Sequence, residues 1–185
     1  MVPSRRLLSA LALAVVFGTL NAFLDGAAAA PLRFAGVVLN AGFAWAGLAV
    51  AAGAVVRTPR LAVVAGGLAA TVGLSAFYVV DALVRDVPVS SAGDGAVFWF
   101  AAGLLLCPAL GFAGSQIRRP GVRGLLPGVR GLLAALVVPV GAAVEVVVLP
   151  PGPDPVRWTV GSAAVLAVAA VLRAHRRREV SPAPG

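Results

Sequence analysis

Six stretches of nearly unbroken apolar sequence, each about as long as a helix that crosses a bilayer, constrain this chain more than any other feature. A hydrocarbon core about 30 Å thick takes roughly 20 apolar residues of helix. Runs of that size cover residues 7–24, 33–56, 61–83, 96–117, 131–149 and 157–173. They are continuously apolar, whereas the strands of a membrane barrel are segments of about ten residues that alternate in polarity. Backbone groups that find no water must pair within their own helix. Helix breakers fall where these runs stop: Asp25-Gly26 through Pro31, Thr58-Pro59, Val87-Pro88 through Gly95, Arg119-Pro120-Gly121, and Pro150 through Pro155. The expectation is an all-α, polytopic transmembrane helical bundle of about six helices. It forms a single membrane domain over residues 1–185, with 174–185 as a basic tail.

Composition supports lipid as the solvent. Sixty per cent of the residues are apolar and 12% charged, a balance that a water-soluble domain with a polar shell does not reach. A formal charge of +8 would point to nucleic acid in a soluble protein, but here the arginines sit in short connectors and tails. The expected partner is therefore the lipid bilayer, with a membrane protein or a second copy of the chain as further candidates, and not nucleic acid. With the N-terminus inside, Arg5, Arg6, Arg57, Arg60, Arg118, Arg119, Arg123, Arg130, Arg173, Arg176, Arg177 and Arg178 lie on the inner side. Only Arg33, Arg85 and Arg157 lie on the outer side. Basic residues are retained in cytoplasmic loops, so both termini are expected in the cytoplasm. Ser4-Arg5-Arg6-Leu7-Leu8, the apolar core after it and Ala27–Ala30 also have the form of a signal peptide, whose cleavage would leave five spans. The arginine distribution favours the uncleaved helix.

Pro120-Gly121-Val122-Arg123-Gly124-Leu125-Leu126 recurs identically as residues 127–133. This is a tandem duplication of seven, read either as a lengthened tolerant loop or as a basic segment touching anionic headgroups. Phe43-Ala44-Trp45-Ala46-Gly47-Leu48 is weakly similar to Trp99-Phe100-Ala101-Ala102-Gly103-Leu104, a trace of hairpin duplication or chance in a biased alphabet. Small residues four apart, Gly42 to Ala46, Ala69 to Gly73 and Gly111 to Ser115, are expected to be packing faces. Pro108 and Pro139 fall near the middle of their spans, where each removes a backbone hydrogen bond. Trp99 and Trp158 read as interfacial anchors, and Trp45 as a deeper residue packed beside Asn40.

Polar residues concentrate toward the outer leaflet: Asn21, Asp25, Asn40, Tyr78, Asp81 and Glu145, with Arg33, Arg85 and Arg157 at the rim. A carboxylate in hydrocarbon costs several kcal/mol unless it meets a partner or an aqueous cavity. Tyr78, Asp81 and Arg85, spaced three and four apart, share a helical face on which Asp81 can pair with Arg85. Glu145 lies about a turn inside an otherwise apolar helix, and its candidate partners are Arg33, Arg157 and Asn40. The cluster Asn40, Tyr78, Asp81, Arg85 and Glu145 is either a polar clasp between helices or the lining of a cavity for a polar or cationic solute.

No nucleophile elbow, phosphate-binding loop or dinucleotide fingerprint occurs, and Ser75, Ser90, Ser91 and Ser162 have no histidine nearby. The lone Cys107 lies in an apolar run and the lone His175 among tail arginines, so no metal site, cofactor or catalytic residue is expected. Leu39-Asn40-Ala41-Gly42-Phe43-Ala44-Trp45, the Arg57-Thr58-Pro59-Arg60 turn, Tyr78-Val79-Val80-Asp81 and the arginine-rich tail resemble an uncharacterised family of actinobacterial multi-pass membrane proteins. The resemblance implies a bacterial plasma membrane and an all-helical bundle. The expected function is that of a non-enzymatic membrane component. The alternative is a small permease or channel-like protein whose outer cavity reaches Asp81 and Glu145.

Overall fold

Continuous apolar sequence with few internal breakers leaves the backbone one way to satisfy its own polar groups, and in the computed structural model nearly all the described residues are helical. It describes residues 3–86, 88, 93–117, 125–148 and 154–180. The helices are α1 (Pro3–Asp25), α2 (Ala30–Asn40), α3 (Gly42–Val56), α4 (Pro59–Arg85), α5 (Gly93–Ile117), α6 (Leu125–Val148) and α7 (Asp154–Val180). No strand occurs among the described residues. Arg118, Arg119, Arg123, Ser90, Ser91 and the 150–153 prolines considered above lie outside the described residues, as do the side chains of Arg130, His175 and Arg176–Arg178.

Among the described residues five helices are long and apolar enough to cross a membrane, and α2 with α3 makes a sixth crossing if the pair is one span. The pair is bent by 64°, so the single straight helix expected over 33–56 is in fact two. Packing shows that the pair carries the chain back along the bundle. Gly18 of α1 lies against Gly73 and Phe77 of α4, while Asp25 at the end of α1 meets Arg85 at the end of α4. Helices α1 and α4 therefore run parallel, and the segment between them must return the chain to its starting side. The end of the bundle where α1 and α4 finish is called the polar end below.

Lipid offers no hydrophobic drive for helix association, so close backbone approach has to supply it. Helices α3, α4 and α5 meet at Gly53, Gly66 and Gly111. A Cβ on Gly111 would collide with the Ala62 carbonyl oxygen and stand 2.9 Å from the Gly66 Cα, and one on Gly53 would enter the Gly111 backbone. Pro108 lies inside α5 without ending it, and its ring sits against Gly67 of α4, 3.4 Å from where a Cβ would be. Pro139 lies likewise inside α6.

Aromatic rings fill the core of this seam. Trp45 is buried and packs edge-on between Phe17 (5.0 Å between ring centres) and Phe77 (6.3 Å). Its ring neighbours are thus on α1 and α4. Trp99 and Trp158 are exposed at 39% and 74%, as suits side chains facing lipid or its interface.

Helix α2 touches α1, α3 and α7, although α1 and α7 do not touch each other. Gly36 brings it against the Leu24 backbone at the tip of α1. Phe34, Val37 and Val38 pack on a cluster of Ala142, Val156, Val160 and Ala164 from α6 and α7. It is a strap across the polar end.

Candidate functional site

A helix break inside a membrane protein frees backbone groups that must be satisfied where water is scarce. Only Ala41, extended at φ −69° and ψ 148°, separates α2 from α3. It is the N-cap residue of α3, and alanine has no side-chain oxygen with which to cap. Glu145 of α6 performs that role from 103 residues away: Gly42 N–H donates to Oε1 and Phe43 N–H to Oε2, each at 2.8 Å. A carboxylate that takes two N–H groups at the positive end of a helix dipole is well matched in charge and in geometry. Gly42 is what admits it, since a Cβ there would stand only 3.3 Å from Oε2.

The other side of the break carries orphan carbonyls at the end of α2. Asn21 of α1, wholly buried, donates from Nδ2 to the Leu39 carbonyl at 3.1 Å. Asn40 donates to Asp25 Oδ1 over a longer 3.4 Å. Arg85 pairs with Asp25 Oδ2, and its Nε lies 2.6 Å from Asp81 Oδ1. The last contact is one of charge, because Asp81 Oδ1 is shielded from solvent and has no aligned hydrogen-bond donor.

Four of the five residues singled out from sequence, Asn40, Asp81, Arg85 and Glu145, are thus gathered around one break. Tyr78 is not among them: its ring packs against Phe77 at 5.2 Å and Phe100 at 6.0 Å. Glu145 meets main-chain N–H groups, and not Arg33, Arg157 or Asn40. The sequence reading placed Asn21 in the polar layer but not in the cluster, and the break itself escaped it. The signal of the break was local: an asparagine and a glycine flank an alanine in Asn40-Ala41-Gly42, with no proline to mark the interruption.

Apolar side chains line the cavities near this region. One of about 230 Å³ is walled by Trp45, Ala46, Leu74, Trp99, Gly103 and Cys107 among others, with Gly42 at its edge. Another of about 470 Å³ lies between α6 and α7 and is walled by valines and alanines. Neither is lined by an acid. Among the described residues no group of three or more His, Cys, Asp or Glu comes together.

Over residues 2–183 the chain matches a family of unknown function, DUF6518. Neither a curated protein nor a solved structure matches it.

Proposed function

The chain belongs to that family of unknown function, and from this premise we propose that it is a non-enzymatic, multi-pass component of a bacterial plasma membrane. It acts through lipid, a membrane partner or a second copy of itself, with both termini in the cytoplasm and the polar end facing outward. Arginine placement supports that orientation. One observation carries the reading: Asn21, Asp25, Asn40, Asp81, Arg85 and Glu145 are engaged with one another or with the backbone of the α2–α3 break. Groups engaged in this way form a clasp between helices. A permease would need a water-filled cavity reaching Asp81 and Glu145, and the cavities near them are apolar.

Purified Glu145→Gln and Asp81→Asn variants in detergent test the proposal. Both are expected to melt at lower temperature and to elute in part as misassembled material. Two variants that stay as stable as the parent while conducting no solute that the parent conducts in liposomes would refute it.

A further inference from the structure

Resting on the reading of the chain as a membrane protein that acts through lipid, we infer that the groove between α6 and α7 is a lipid site, apart from the clasp. It seats one acyl chain of a phospholipid with a net negative headgroup, whose phosphate is held by Arg157. The groove measures about 470 Å³ and is walled by Val140, Val144 and Val148 of α6 and by Ala164, Val165 and Val168 of α7, among others. It opens outward and not into the core, since Val144 is 55% exposed and Val165 66%. From Val140 to Val148 the helix rises about 12 Å, most of the roughly 15 Å that one leaflet contributes to the hydrocarbon core. An acyl chain lying along α6 fits that depth.

Helical register gives the groove a charged mouth at the polar end. A Cβ on Gly161 would lie 3.6 Å from Cγ1 of Val146, so these two residues of the antiparallel pair are level. Two residues further along each helix, Val148 is level with Thr159, and Arg157 stands only about 3 Å above them. Arg157 precedes Ala164 by seven residues, and Trp158 precedes Val165 by seven. Each therefore shares a helical face with the groove residue two turns below it. Long side chains lean toward the N-terminus of their helix, which here carries the guanidinium of Arg157 out of the hydrocarbon to headgroup depth. Trp158, already noted as exposed, bears the amphipathic ring that settles at the same depth.

Charge separates the possible occupants. Arg157 is exposed and forms no ion pair with a described side chain. Glu145, the only acid on α6, is bonded instead to the amides of Gly42 and Phe43. A guanidinium takes a phosphate through two parallel hydrogen bonds, and basic residues at clefts between membrane helices are a known means of holding anionic headgroups. A neutral hydrocarbon would fill the valine walls and leave the charge unmatched. A second copy of the chain fits less well: an isologous pair joined at this groove, about an axis along the bilayer normal, would set Arg157 against Arg157 at one depth.

The test is native mass spectrometry of the full chain, reconstituted into vesicles of equal parts phosphatidylglycerol and phosphatidylcholine and then extracted in uncharged detergent. About one phosphatidylglycerol per chain is expected to survive extraction, several-fold enriched over phosphatidylcholine. Arg157→Gln should bring the two lipids to parity. Val144→Trp, which fills the groove from an exposed position, should lower retention of both, whereas Leu105→Trp on the 77% exposed face of α5 should retain lipid as the parent does. No preference for phosphatidylglycerol in the parent, or a preference that Arg157→Gln keeps, would overturn the inference. So would a dimer in light scattering that Val144→Trp converts to monomer with no loss of lipid, because a second copy would then cover the groove. If Glu145→Gln destabilises the bundle while the parent shows no preference between the lipids, the clasp stands and the lipid site falls. If Glu145→Gln melts as the parent does while the parent keeps its phosphatidylglycerol, the clasp falls and the lipid site stands.

Discussion

At the scale of single residues, the two carboxylate oxygens of Glu145 and the two N–H groups they receive form the most consequential contact. Hydrogen bonds to a charged group contribute about 1.5–3 kcal/mol each. Glu145→Gln keeps one acceptor and turns an NH₂ group toward a backbone donor. It should cost about 2–4 kcal/mol, read as a lowered midpoint in detergent unfolding. Glu145→Ala should cost more, because it leaves both N–H groups bare. An equal loss in the two variants would mean that the second oxygen contributes nothing. Much of this was legible beforehand: a lone acid deep in an apolar helix announces that it has a partner. Which partner was not legible, because main-chain N–H groups exist at every position and become available only where a helix stops. Sequence shows side-chain chemistry, and the matching group here has none. The partner of Asn21 was illegible for the same reason, its acceptor being the carbonyl of Leu39. Asp81 and Arg85 were easier, since both members of the pair are visible side chains one helical turn apart.

At the scale of elements, the seam of α3, α4 and α5 should tolerate almost nothing at Gly111. Gly111→Leu should abolish the monodisperse peak in size-exclusion chromatography, whereas Gly141→Leu should keep it, since a Cβ on Gly141 meets nothing within 4 Å. The spacing of small residues made Gly111 recognisable, but only the fold shows that three helices converge on it. The tandem repeat teaches the opposite lesson. It reads as loop because each copy opens with Pro-Gly, yet α6 begins at Leu125, so the second copy, residues 127–133, lies within its first turns. Proline is accommodated in the first turn of a helix, where its missing N–H has no partner to lose. Removing one copy takes out seven residues, nearly two whole turns, and rotates what precedes it by only about 20°. The deletion should therefore shift the melting midpoint by no more than a degree or two. Deleting five residues instead, which turns the register far more, should be clearly destabilising.

At the scale of the whole molecule, parallel α1 and α4 joined through the bent pair agree with six crossings, and the proposed topology then expects both ends on one side. Cysteine introduced at Ser4 and, separately, at Arg173 should react alike with a membrane-impermeant maleimide, from the cytoplasmic side alone in sealed inverted vesicles. Cys107 is 6% exposed and faces a cavity walled by indole and aliphatic groups. It should stay unlabelled until the protein is denatured, so the parent chain serves as its own blank. Labelling of the two positions from opposite sides would remove one crossing, and α3 would be the segment to re-examine. The long apolar segments were legible in sequence because hydropathy is a local sum. That one of them is a strap was not, because the 64° turn depends on residues from α1 and α6 that arrive from elsewhere in the chain.

The reach of Glu145 across 103 residues also sets a timetable. Ribosomes add about 5–20 residues each second, so the amides of Gly42 and Phe43 wait on the order of 5–20 s before their acceptor is made. During that interval Ala30–Val56 is an apolar stretch long enough to thread the bilayer as one rod, with each amide bonded to the carbonyl four residues before it. On that timetable the bend is expected to be completed late, when α6 enters and trades those local bonds for its carboxylate. A nascent chain halted after α5 should accordingly carry α2 and α3 in line. A cysteine pair linking α2 to α7 should close only once the complete protein has been released.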